Sequence, residues 1–136
     1  MAKQLKNVKY IMDASAIIAV ANQEPCIPEL ADMFLESVIT TINLAEALTV
    51  IIRLFDADPD TIWNELGNFV QHHYPLDDEL TYEVVKMAPY AKKYGLSMGD
   101  RYCLALAKKL QLPVYTADRI WKETEAEFGL TVVLIR

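Results

Sequence analysis

The sequence predicts an α/β protein built on a mainly parallel sheet. Short apolar or β-branched runs of strand length, at Val8 to Met12, Val38 to Thr41, Pro113 to Thr116 and Thr131 to Ile135, alternate with longer stretches of helical period. Strands that alternate with helices are joined by right-handed crossovers, which lay helices over both faces of a parallel sheet. The 136 residues, 53% of them hydrophobic, supply the core of one domain spanning 1–136, with no internal repeat, linker or low-complexity segment.

Taken in order, VKYIM (Val8 to Met12) reads as a buried strand that hands over at Asp13-Ala-Ser15 to the helical run SAIIAVANQE. Pro25 and Pro28 bracket a break. ELADMFLES is then a short helix leading to the β-branched strand Val38 to Thr41. Asn43-Leu-Ala-Glu46 opens a long amphipathic helix through Phe55, with Asn43 and Glu46 spaced as a capping box. Asp56 to Asp60 is a turn with Asp60 as a cap, TIWNELGNFVQHH a helix and Tyr74 to Asp78 a loop. Asp78 to Gly95 is helical and divided near Pro89. Ser97-x-x-Asp100 is a second capping box, starting the helix DRYCLALAKKLQ. The next strand ends at Ala117-Asp118, where the helix DRIWKETEAEF begins, and Gly129 separates that helix from the closing strand.

Composition excludes several classes of function. A net charge of −6 argues against a broad basic surface for duplex DNA, although Lys92, Lys93, Arg101, Lys108, Lys109, Arg119 and Lys122 concentrate positive charge in the C-terminal half. No apolar run approaches the roughly 20 residues of a membrane span, and the basic, polar stretch Met1 to Lys9 does not read as an export leader. A cytoplasmic protein without membrane partners is expected. Cys26 and Cys103 lack CxxC spacing and read as reduced thiols. Asp56-x-Asp58-x-Asp60 resembles the opening of a calcium loop, but Thr61 stands where its glycine belongs and Gly67 where its glutamate belongs. His72 and His73 are adjacent and diverge, so they read as a solvated helix end. Trp63, Phe69, Tyr82 and Tyr90 read as core or assembly-surface aromatics, with no interleaved basic pattern for base stacking.

Four acids carry the chemistry. Asp13 and Asp118 follow strands, while Glu46 and Asp100 lie in the first turns of helices, so all four map to the carboxyl edge of the sheet, where open α/β proteins bind ligands. Each alone has a structural role as a helix cap. Together they present a cost: two carboxylates 4 Å apart repel by about 4 kcal/mol at an effective dielectric near 20, so a gathered set must protonate, separate or bind a cation. Oxygen donors suit Mg²⁺ or Mn²⁺.

The segments YIMDASAIIA, TTINLAEAL, LSMGDRYCLALAKKLQLPVYTADRIW and TVVLIR resemble a PIN domain, in particular the small single-domain ribonucleases of the VapC type found in bacterial toxin–antitoxin systems. The resemblance runs from about Val8 onward and is most specific between Ser97 and Trp121. It implies a three-layer α/β/α fold around a mainly parallel sheet of four to five strands. It also implies metal-dependent hydrolysis of RNA phosphodiester bonds, leaving 3′-hydroxyl and 5′-phosphate ends. Asp13, Glu46, Asp100 and Asp118 match the family's catalytic, metal-holding acids, and Ser15 and Thr116 its neighbouring hydroxyls; one metal ion or two are both compatible. A homodimer and a cognate antitoxin that covers the site are further implications, and the helices between Asn43 and His73 are the expected assembly face. Arg101 and Arg119, each directly after an acid, are candidate contacts to the RNA phosphate through guanidinium hydrogen bonds.

Two other readings compete. A non-catalytic PIN-like binding or assembly module would use the acids only as helix caps. A receiver or haloacid-dehalogenase-like phosphotransfer domain also gathers acids around magnesium. The latter would want a second aspartate at Ser15, and the former of these two phosphotransfer types paired acids at the first strand and a late lysine; neither set is present.

Overall fold

Five short strands form one all-parallel sheet: β1 Tyr10–Met12, β2 Ser37–Thr40, β3 His72–Tyr74, β4 Val114–Thr116 and β5 Val132–Leu134, in the order β3-β2-β1-β4-β5. The computed structural model describes residues 5–136, so the first four residues of the basic stretch Met1 to Lys9 lie outside the described residues. In register, Ile11 of β1 faces Val38 on one side and Val114 on the other, and Met12 faces Tyr115. Strands covered on both faces bury successive residues to opposite sides, which is why β1 reads as an unbroken apolar run and all four residues of β2, Ser37 and Thr40 included, are buried. Ile11, Val38, Val114 and Val132 enter one core cluster, and Met12 and Ile39 enter the other.

Helices α1 (Ala14–Ala21), α2 (Leu30–Met33), α3 (Thr41–Phe55) and α4 (Pro59–Leu66) supply the second cluster through Ile17, Leu30, Ile51 and Ile62. Helices α5 (Asp78–Lys86), α6 (Ala88–Tyr94), α7 (Met98–Leu110) and α8 (Thr124–Phe128) close the opposite face through residues such as Leu80, Leu104 and Phe128. This is the expected three-layer architecture. Pro89 stands in the first turn of α6, where its missing N–H costs nothing, and divides the region as expected. Among the described residues no helix is long and apolar enough to cross a membrane.

Three local expectations are corrected. The helix after Asp58 stops at Leu66, and His72 and His73, expected at a helix end, belong instead to edge strand β3. Pairing explains the change: β2 would otherwise expose an unpaired edge, and Val38, Ile39 and Thr40 take His72, His73 and Tyr74 as partners while Gln71 N donates to Phe34 O at 3.0 Å. Asp58, not Asp60, caps α4, accepting from Thr61 N at 3.0 Å, because Pro59 occupies the first helical position. The capping box between Asn43 and Glu46 does not form, since the strand ends one residue earlier than the sequence suggests and Thr40 becomes the cap of α3.

Gly95 ends α6 in the left-handed region, at φ 65°, with open space where a Cβ would stand. Gly95→Ala therefore meets backbone strain alone. It is expected to cost roughly 1 kcal/mol and lower the thermal midpoint by a few degrees, and an unchanged midpoint in a thermal melt would contradict this account.

Candidate active site

The strand order makes the gap between β1 and β4 a topological switch point: the connections from β1 run over one face and those that lead to β4 over the other, leaving a crevice at the carboxyl ends. Asp13 sits there as the ladder's next residue, its N–H donating to Tyr115 O at 3.0 Å. Its carboxylate is buried. Ser15 Oγ donates to Asp13 Oδ2 at 2.8 Å and Thr116 Oγ1 to the same oxygen at 2.9 Å. Each hydroxyl in turn accepts from the β4 loop, Ser15 Oγ from Ala117 N at 2.9 Å and Thr116 Oγ1 from Asp118 N at 3.0 Å. With their oxygens accepting from the backbone, both hydroxyl protons are directed at Asp13. The acid occupies the N-cap position of α1 but makes no side-chain capping bond.

Asp100 does form its capping box: Ser97 N donates to Asp100 Oδ2 at 2.9 Å, and Asp100 N donates to Ser97 Oγ at 3.1 Å. Asp118 accepts from Ile120 N at 3.2 Å at the start of a 3-10 turn, Arg119–Glu123. Glu46 lies on the exposed side of α3 and accepts from Asn43 Nδ2 at 2.9 Å. Both helices that carry these acids begin at the same edge. α3 and α7 touch there, with Asn43 Nδ2 also donating to Gly99 O at 3.2 Å.

The electrostatics follow from burial. Desolvation pushes Asp13 up to about 6, opposed by the Ser15 and Thr116 hydroxyls and reinforced by the charge of Asp100. Asp100 is also raised, chiefly by burial against the Ser97 hydrogen bonds, with Asp118 adding repulsion. Cys103, one turn beyond Asp100 in α7, is fully buried. Its thiol is held well above its usual range by burial, with the charges of Asp13, Asp100 and Glu46 adding to the effect, so it is an inert thiol and not a nucleophile. Among the described residues none of the four acids forms an ion pair; the salt bridges lie elsewhere, as between Lys9 and Glu36 or Lys86 and Glu83.

Among the described residues, no three or more His, Cys, Asp or Glu side chains are placed as a group that could hold a metal ion. The acids share an edge, and Asp13, Asp100 and Asp118 feel one another's charge in sequence, yet Asp100 and Asp118 are turned to capping bonds. The donor chemistry nevertheless fits a hard divalent cation: every donor is an oxygen, the buried one is reluctant to ionise alone, and among the described residues no cationic side chain pairs with the set. The two arginines stay off the acids. Arg119 Nη2 donates to Arg136 O at 3.2 Å, and Arg101 Nε is buried without a hydrogen-bond partner.

A family model described as PIN domain matches residues 10–127. The chain belongs to the PIN domain family. Membership spans all four acids and displaces the receiver-like and haloacid-dehalogenase-like readings. No curated protein matches the chain significantly. Several solved structures share the PIN fold. DNA-bound VapBC from Salmonella typhimurium is 16% identical, with 93% of this chain and 98% of that chain covered at a TM-score of 0.69. VapC20 from Mycobacterium tuberculosis, described as a sarcin–ricin loop cleaving toxin, is 13% identical with 85% and 94% covered at 0.66. FitAcB from Neisseria gonorrhoeae is 20% identical with 90% and 95% covered at 0.62.

Sequence reasoning missed two parts of this PIN site, Asn43 as a bridge and Gly99 as the surface under Glu46. A Cβ on Gly99 would stand 2.8 Å from Glu46 Cδ. The only signal was a glycine in the first turn of a helix, where one is not needed for capping.

Proposed function

We propose that this PIN domain is a divalent-metal-dependent endoribonuclease, the toxin of a toxin–antitoxin pair. The observation that carries the reading is the uncompensated carboxylate set at the switch point, with Asp13 buried under two hydroxyls that both donate to it. Asp13, Asp100 and Asp118, with Glu46 beside them, would hold Mg²⁺ or Mn²⁺. When bound, the cation supplies positive charge against the scissile phosphate and makes water a stronger acid. Ser15 and Thr116 fix the rotamer of Asp13 and keep one of its oxygens occupied, so the other is left for the cation. Arg101 and Arg119, each directly after one of the acids, are the candidate contacts to the RNA phosphate through guanidinium hydrogen bonds. That fold neighbours from Mycobacterium tuberculosis and Klebsiella pneumoniae belong to toxin–antitoxin systems supports an antitoxin as protein partner. A homodimer and a cytoplasmic location accompany the reading.

Purified protein and its Asp13→Asn and Asp100→Asn variants, incubated with a structured RNA panel in Mg²⁺, Mn²⁺ or chelator, test it. Cleavage by the wild type alone, abolished by chelator, is the outcome expected. Equal cleavage by all three proteins would sink the mechanism. The rival reading as a binding module draws on the capping bonds of Asp100 and Asp118. It requires that neither ion raise the unfolding temperature.

A further inference from the structure

The four acids are held unequally. Asp13, Asp100 and Asp118 are tied to backbone or hydroxyl donors beside them, whereas Glu46 is an exposed glutamate with three side-chain torsions and no ion pair among the described residues. What holds it is Asn43, buried to 1% exposure. The amide's orientation is set by its partners: Oδ1 accepts from Thr40 Oγ1 at 2.6 Å, so Nδ2 faces Glu46 Oε1 at 2.9 Å and Gly99 O at 3.2 Å. One side chain thus joins the end of β2, the first turn of α3 and the first turn of α7. Against this bridge Glu46 lies flat on Gly99, so close that a Cβ there would stand 2.8 Å from both Cδ and Oε2. Oε2 accepts no hydrogen bond among the described residues.

We propose that Asn43 and Gly99 are positioning residues for Glu46, Asn43 by pinning Oε1 and Gly99 by leaving room for the carboxylate against α7, so that Oε2 is presented to a divalent cation beside Asp100. This rests on the nuclease reading. Neither residue touches the cation. Their effect is to settle the Glu46 side chain before the ion arrives, and groups that orient a ligand in this way typically alter metal affinity by about 10- to 100-fold.

The test is a double-mutant cycle read by Mn²⁺ binding, followed from the electron paramagnetic resonance signal of the free ion, alongside thermal melts of the metal-free proteins. Asn43→Ala and Gly99→Ala are each expected to weaken Mn²⁺ binding by about tenfold in the natural background and to have no further effect when Glu46→Ala is already present. A purely structural role predicts the opposite: a lower melting temperature and either unchanged Mn²⁺ affinity or the same loss in both backgrounds, and that result overturns the proposal. Gly99→Ala keeps the test decisive if Asn43→Ala does not fold, because it leaves the buried Thr40–Asn43 hydrogen bonds in place. Failure of the nuclease reading is distinguishable. There the natural protein binds Mn²⁺ no better than Asp13→Asn, and the cycle has nothing to measure.

Discussion

Asp13→Asn is expected to stabilise the metal-free protein at neutral pH while it removes RNA cleavage. The fold raises the acid from 3.8 to about 6 because burial disfavours its charge, a displacement that corresponds to roughly 3 kcal/mol at pH 7. Since the folded value lies above the unfolded one, the associated stability is fully present below about pH 4 and is lost as the pH rises through about 6. Asparagine carries no such dependence and still offers a carbonyl oxygen to the Ser15 and Thr116 hydroxyls. Denaturant titrations of both proteins in chelator, from pH 4.5 to 7.5, should therefore show the wild type weakening with pH more steeply than the variant, which keeps only the smaller dependence contributed by groups such as Asp100. Added Mn²⁺ should reverse the ranking by stabilising only the wild type. Parallel pH profiles for the two proteins would mean that Asp13 is not ionised at a cost in this fold.

The largest loss of stability is expected at Trp121. The ring is fully buried in the 3-10 turn that follows Asp118, within the cluster that also contains Phe128 and Val132. Truncating a buried tryptophan to alanine removes its packing and leaves a void, which typically costs 3–5 kcal/mol. In a domain of this length that lowers the thermal midpoint by about 10 °C or more. The indole Nε1 has no hydrogen-bond partner among the described residues. Trp121→Phe, which removes that unpaired donor along with part of the ring, is accordingly expected to cost about 1–2 kcal/mol, well below the alanine variant. Equal losses for Phe and Ala would show that ring volume is not what the site needs. Because the same turn positions Asp118, the alanine variant should also bind Mn²⁺ more weakly than the phenylalanine variant.

The parts of this PIN domain legible in its sequence are those governed by local rules. Ser97 and Asp100 announce their capping box, Pro89 divides its helix, and the runs ending at Met12 and Thr116 place Asp13 and Asp118 at one edge. What was illegible depends on partners distant in the chain. His72 to Tyr74 has no apolar run to mark a strand, and becomes one because β2 needs a neighbour. Asn43 looks like a cap because its spacing to Glu46 suits a box. The helix start at Thr41 moves it inside, where Gly99, 56 residues away, completes its hydrogen bonds. The hydroxyls of Ser15 and Thr116 were expected near the site, but their relay from the β4 loop to Asp13 is visible only in three dimensions.

The strand order also carries a consequence for timing during synthesis. β1 emerges first from the ribosome yet lies in the middle of the sheet, and its neighbour β4 arrives after more than a hundred further residues, as the Thr116 to Asp13 separation of 103 positions shows. Until Val114 to Thr116 has been made, Asp13 has no Tyr115 carbonyl for its N–H and no Thr116 hydroxyl for its carboxylate. An unfinished chain therefore cannot assemble the crevice. Whatever chemistry resides there is withheld from the nascent protein until Thr116 has been made and has left the ribosome.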